Sequence, residues 1–132
     1  MNGLSVKDCM SRAPARVTED ASIGTALARM RSADVRHLLV MDGDRLCGVV
    51  SVRDLRRLAG SALASLLVEP VSRIMSDDPV TIAPDTPVAT AARVLLDRKI
   101  GALPVRDGDD IIGIFTTADA LEALLAIAGK SD

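Results

Sequence analysis

The sequence predicts an α/β (α+β) fold made of two tandem β-α-β-β-α repeats. Three observations lead there. Sliding the 132-residue chain on itself by 65 positions aligns residues 6–59 with 71–124 without a gap, and 14 of 54 positions are identical. An ungapped match of that quality is an internal duplication. Each copy carries one apolar stripe at helical spacing, and each carries an Asp-Gly pair between two apolar runs, which signals a hairpin.

The elements follow in the same order in both copies. "ARVT" (15–18) and "VTI" (80–82), each after a proline, read as short strands. Ile23, Ala26, Leu27 and Met30 form the i, i+3, i+4, i+7 face of the first helix, and Val88, Ala91, Ala92 and Leu95 form that of the second. Thr86-Pro87 supplies the second helix with a capping hydroxyl and a proline in its first turn. "HLLVM" and "RLCGVVSV" flank Asp42-Gly43, while "ALPVR" and "DIIGIFTT" flank Asp107-Gly108. A closing helix follows Asp54 and Asp119. The boundaries are 5–60 for repeat 1, 61–70 for a helical linker and 71–126 for repeat 2. A unit of this size is marginal alone. Its strands lack the alternation of a sheet with one wet face. The two sheets are therefore expected to pack together about a pseudo-twofold axis.

Composition narrows the function. Phe115 is the one aromatic residue, so there is no platform for stacking a base, and the net charge of −2 argues against a polyanion partner. Residues 1–66 carry ten Lys/Arg against seven Asp/Glu, whereas residues 67–132 carry six against eleven. The start "MNGLSVKDCM" holds no apolar core of signal-peptide length, and no run approaches the ~20 residues of a membrane span. A soluble, cytoplasmic protein is expected, with no membrane partner. Cys9 and Cys47 align with Ile74 and Ile112 across the repeat, so they read as core thiols and not as metal ligands.

The duplicated stretch "GVVSVRD" (48–54) and "GIFTTAD" (113–119) repeats a glycine, a hydroxyl and an aspartate at fixed spacing. The glycine lets backbone pass close. The aspartate has two readings. It is an N-cap at a strand-to-helix junction, with Asp119 and Glu122 resembling a capping box. Or it is a ligand group, since a carboxylate in a helix's first turn can accept charge-assisted hydrogen bonds, with Ser51 or Thr116 beside it. Asp54 is followed by Arg57 where Asp119 is followed by Glu122, so the duplication keeps the aspartate and not the box.

The ordered set of the lead-in "VKDCMS" and "VSRIMS", the helix, the "LPVRD" type of strand and the closing G-h-h-[ST]-x-x-D (h for apolar), all present twice, resembles the tandem cystathionine-β-synthase (CBS) domain pair, or Bateman module, over about residues 5–126. With no catalytic or DNA-binding segment attached, the chain looks like a stand-alone pair. The resemblance implies a regulatory module for adenosyl compounds (AMP, ADP or ATP, sometimes NAD or S-adenosylmethionine) and no obligatory cofactor. In that family the ligands lie in two clefts. Each combines the closing hydroxyl and aspartate of one repeat with the first strand and the hairpin's first strand of the other. Asp119 and Thr116 are then expected to face Arg36, His37 and the Arg16-Val17 strand. Asp54 and Ser51 are expected to face Val80-Thr81 and the uncharged Gly101-Ala102. The lone histidine reads as a packed side chain or, beside Arg36, as a phosphate contact. The Asp119 cleft is the better match to a phosphorylated ligand.

Two other readings stand beside the sensor. "ADALEALLAIA" and "ALASLL" are apolar on more faces than one side of a helix needs. They predict a homodimer, and they admit a structural or partner-docking module with empty clefts and an unidentified regulated protein. An enzyme is not expected: there is no glycine-rich loop ending in GK[ST], no nucleophile with its base, and no metal-ligand cluster. Arg53, Arg56 and Arg57 read as a solvated helix surface and not as a nucleic-acid site.

Overall fold

A computed structural model of the chain describes residues 3–58 and 63–130. In chain order it holds α1 (Val6–Cys9), β1 (Ser11–Arg12), β2 (Arg16–Thr18), α2 (Ile23–Ala33), β3 (His37–Asp42), β4 (Arg45–Ser51), α3 (Val52–Leu58), α4 (Leu63–Leu67), a 3₁₀ turn (Val71–Arg73), β5 (Ser76–Asp77), α5 (Val88–Arg98), β6 (Ala102–Asp107), β7 (Asp110–Thr116) and α6 (Thr117–Lys130). The mixed α+β architecture is the one the sequence predicts. Of the linker, positions 61 and 62 lie outside the described residues, and α4 spans Leu63–Leu67.

The chain forms two compact units that cut across the repeats. One comprises Pro14–Pro79; the other joins Met1–Ala13 to Val80–Asp132. Each repeat's lead-in thus belongs to the unit built on the other repeat. In the first unit β2-β3-β4-β5 form one sheet, with β2 parallel to β3 and the remaining pairs antiparallel. In the second the order is β1-β7-β6.

The lead-ins do the same work in both units. Each meets the first free N–H of a helix: Ile23 N donates to Glu69 O at 2.8 Å, and Val88 N donates to Leu4 O at 2.9 Å. Each also buries a valine. Val71 enters the core formed by Val17, Ala26, Met30, Leu38, Val40 and Val50. Val6 enters the one formed by Val88, Ala91, Leu95, Leu103, Val105 and Phe115. Of the helix faces read from the sequence, Ala26 and Met30 enter the first core and Val88, Ala91 and Leu95 the second. Ile23 is fully buried, and Leu27 and Ala92 are only half-buried outside the cores. Cys47 lies in the first core while half-buried Cys9 packs against the second. Four consecutive residues of β3, Leu38 to Met41, are buried, as expected for a strand dry on both faces.

Two local expectations change. The strand read at 80–82 is one parallel bridge, Ile82 to Val105. In the other unit Leu39 N donates to Ala15 O at 3.1 Å. Pro104 occupies the equivalent of Leu39 and has no N–H to offer Val80, so the ladder stops short. The cap of α5 is Pro87 itself, and no side chain caps it, so Thr86 does not play the role assigned to it. On α2, by contrast, Ser22 Oγ accepts from Thr25 N at 3.0 Å.

Candidate functional site

The repeated hydroxyl and aspartate sit where β4 runs into α3 and where β7 runs into α6. Ser51 Oγ accepts from Asp54 N at 3.2 Å, while Asp54 Oδ2 accepts from Ser51 N at 2.8 Å and from Ser51 Oγ at 3.0 Å. Thr116 and Asp119 repeat this, with Asp119 N to Thr116 Oγ1 at 3.3 Å and Asp119 Oδ2 accepting at 2.8 and 3.1 Å. The hydroxyl is therefore the cap and the aspartate the third helical residue, a capping box closed by a carboxylate. The box expected between Asp119 and Glu122 does not form; it sits three residues earlier, because the hydroxyl and not the aspartate ends the strand.

A third box supplies a comparison. Ser5 and Asp8 repeat the two carboxylate bonds at the start of α1, with Ser5 N to Asp8 Oδ2 at 2.9 Å and Ser5 Oγ to Asp8 Oδ2 at 3.0 Å, while Asp8 N donates to the Ser5 carbonyl at 3.0 Å. These bonds hold the Asp8 carboxyl below its ordinary value, the Ser5 N–H first and the Ser5 hydroxyl next. The pattern alone is thus a way to start a helix. Asp54 and Asp119 differ from exposed Asp8 in being half-buried at the end of a long strand. In both, Oδ2 is taken by the box, and Oδ1 makes no hydrogen bond among the described residues. One oxygen fixes the side chain; the other is open.

Within the first unit, His37 lies opposite Ser51 in the β3–β4 ladder and Arg36 O accepts from Val52 N at 3.0 Å. Arg36, His37, Ser51 and Asp54 are thereby gathered at one end of the sheet. Burial pushes the half-buried His37 imidazole below its ordinary value; Arg36 and Arg53 push the same way, and Asp54 opposes them. In the second unit, Ala102 lies opposite Thr116 and Thr117 N donates to Gly101 O at 3.0 Å, so Gly101, Ala102, Thr116 and Asp119 form the equivalent group without a cation. Val80 and Thr81 are half-buried beside the Ile82 bridge. On β2 the Val17 side chain is in the core, leaving only its backbone for a ligand, whereas Arg16 is exposed.

The glycine of each stretch has a use inside its own unit. A Cβ on Gly48 would stand 2.7 Å from Ser76 O, and one on Gly113 would stand 2.7 Å from Ser11 O. The backbone that passes close is that of the lead-in strand, β5 or β1. Among the described residues no group of three His, Cys, Asp or Glu side chains could hold a metal ion. Burial, followed by the Asp8, Asp119 and Glu122 carboxylates, pushes the Cys9 thiol up. No helix is long and apolar enough to cross a membrane among the described residues.

Comparison with known proteins agrees with the fold. The CBS-domain family model matches twice, at residues 6–61 and 71–126. A CBS domain-containing protein of Dictyostelium discoideum is 32% identical over 133 residues, covering 92% of either chain. A CBS-domain-containing protein from Agrobacterium tumefaciens shares the fold at a TM-score of 0.86 and 22% identity, over 92% of this chain and 99% of that one. CBSX2, a CBS-pair protein of Arabidopsis thaliana, matches in its complex with AMP at a TM-score of 0.81 and 33% identity, over 96% and 99%.

Proposed function

The chain belongs to the CBS-domain family as a tandem pair, and from that premise we propose that it is a non-catalytic regulatory module binding an adenosyl ligand of the AMP, ADP or ATP class. The observation that carries this reading is the open Oδ1 on each of two carboxylates locked at equivalent strand ends. A ribose diol needs such an acceptor, held in place before the ligand arrives. The complex of CBSX2 with AMP supports the choice of ligand class.

In the proposed arrangement each carboxylate works with strands of the other repeat. Asp119 and Thr116 hold ribose, Arg36 and His37 meet phosphate, and the backbone at Arg16-Val17 lines the base. Asp54 and Ser51 work with Val80, Thr81, Gly101 and Ala102, which offer no charge. That second place suits a less charged ligand such as S-adenosylmethionine, or stands empty. NAD fits the same diol chemistry. The module pairs with a second copy through α6 and passes ligand occupancy to a regulated protein.

Calorimetric titration with AMP tests the reading. Wild-type protein is expected to bind, Asp119→Ala to lose at least about tenfold in affinity, and Asp54→Ala to lose less. The reverse order would exchange the two assignments. Melting temperature should rise with ligand concentration. No rise with AMP, ADP, ATP, NAD or S-adenosylmethionine at millimolar concentration would favour the docking module with nothing in its clefts.

A further inference from the structure

The unit formed by Pro14–Pro79 contains a groove of about 380 Å³ between the edge strand β2 and helix α2. Its floor is apolar, from Val17, Ala21 and Met41, and Arg16, Thr25 and Arg29 stand around it. We propose that this groove is an anion site for a small phosphate monoester with an apolar body, sharing the Arg16-Val17 strand with the Asp119 site proposed above and separate from it at Thr25 and Arg29. It does not rest on that reading, because Arg29 and Thr25 have no part in it.

The donors are prepared for an anion. Arg29 Nη1 donates to Arg16 O at 3.0 Å, which ties the guanidinium to the strand edge and leaves its remaining N–H groups free to turn to a ligand. Among the described residues the two ion pairs are Arg45 with Asp42 and Arg73 with Glu69, so neither Arg16 nor Arg29 is neutralised by a carboxylate. Thr25 Oγ1 accepts from Ser22 Oγ at 3.0 Å and keeps its own hydrogen to donate. Thr18 adds no donor, since its hydroxyl is spent on Asp20 Oδ1 at 2.7 Å. Two guanidinium forks and a hydroxyl above an apolar floor match a dianionic head carried on a small apolar group.

The duplication shows that the fold does not demand this chemistry. At the offset of 65, Arg16 becomes Thr81 and Arg29 becomes Val94, while Thr25 is retained as Thr90. Repeat 2 forms its helix of the same length, α5, without either cation. A pair of arginines placed on one groove in one copy alone answers to a ligand and not to folding.

Phenyl phosphate is the probe, titrated into the full chain and followed by amide chemical shifts, with AMP titrated in parallel. Shifts should centre on β2 and α2. Arg29→Gln and Thr25→Val should each weaken phenyl phosphate, the former by about tenfold or more, and leave AMP unchanged. Arg29→Lys should fall between wild type and Arg29→Gln, because it keeps charge and loses the fork. Asp119→Ala should weaken AMP and spare phenyl phosphate. If phenyl phosphate fails to bind at millimolar concentration, or is lost in Asp119→Ala and kept in Arg29→Gln, the groove is not an anion site, whatever becomes of AMP. If AMP alone fails, the nucleotide reading falls and the groove stands.

Discussion

Asp54 and Asp119 use their two oxygens differently, and substitutions can separate the uses. Asparagine keeps an oxygen that can accept from the Ser51 or Thr116 N–H, so Asp119→Asn should leave the helix start intact while removing the charge offered to a ligand. Alanine removes both, and costs about 1 kcal/mol of stability for the lost box. The expected pattern is that AMP affinity falls in both variants while melting temperature drops chiefly in Asp119→Ala. Asp8→Ala is the control: it breaks the same box and should lower stability without touching AMP affinity. If Asp119→Asn binds AMP like wild type, the carboxylate is a cap and nothing more. His37 offers a pH test. Its folded value is depressed from 6.5, so the unfolded chain takes up the proton first. The resulting stability is present above about pH 6.5 and is lost as pH falls through the folded value. Urea midpoints between pH 5 and 8 should fall with acidity in wild type and less steeply in His37→Gln. Equal slopes in the two proteins would show that His37 is not the group responsible. Asp8, lowered from 3.8, acts in the same direction but titrates below this range.

Among elements, the decisive feature is the exchange of lead-ins, and the two glycines report on it. Beside Gly48 and Gly113 lies a backbone carbonyl as well as the sulfur of Met75 or Met10. A methionine can swing aside; a strand carbonyl cannot. Gly48→Ala and Gly113→Ala should each cost about 1–3 kcal/mol, measured by chemical denaturation, and each loss should map by hydrogen exchange to its own unit. Protection lost evenly across the chain would contradict the division into units. The helices, the hairpins and their Asp-Gly turns were legible because each is written in local spacing; Gly43 and Gly108 do adopt positive φ, 60° and 63°. The exchange was not legible, for a physical reason. A duplication aligns identically whether Val6 docks on its own repeat or on the other, since Val71 is its counterpart in both cases. The candidate site was half legible. The spacing of hydroxyl and aspartate marked side chains that the structure joins in a capping box, yet left cap and ligand group as alternatives, and the cap leaves Oδ1 without a hydrogen bond among the described residues. The groove beside β2 escaped notice because Arg16 and Arg29 lie on different elements and share no motif.

For the whole molecule the open matter is assembly, and α6 allows an estimate. Ala123 anchors this helix in its own core, while Leu121, Leu124 and Leu125 are 55%, 59% and 69% exposed. Burying a leucine fully is worth about 1.5–3 kcal/mol. A symmetric dimer along this face covers six such side chains, in part already buried, for roughly 5–10 kcal/mol. Association costs about 4–15 kcal/mol. The two are close enough that the leucines decide the outcome, so a dimer is expected to be lost when they are changed. Light scattering behind size-exclusion chromatography at about 100 μM should give twice the 13.8 kDa chain mass for wild type. Leu124→Asp/Leu125→Asp should give a monomer with an unchanged circular-dichroism spectrum, since neither residue is needed in its own core. A wild-type monomer at that concentration would return this face to some other protein, and a double variant that still dimerises would place the interface elsewhere on the chain.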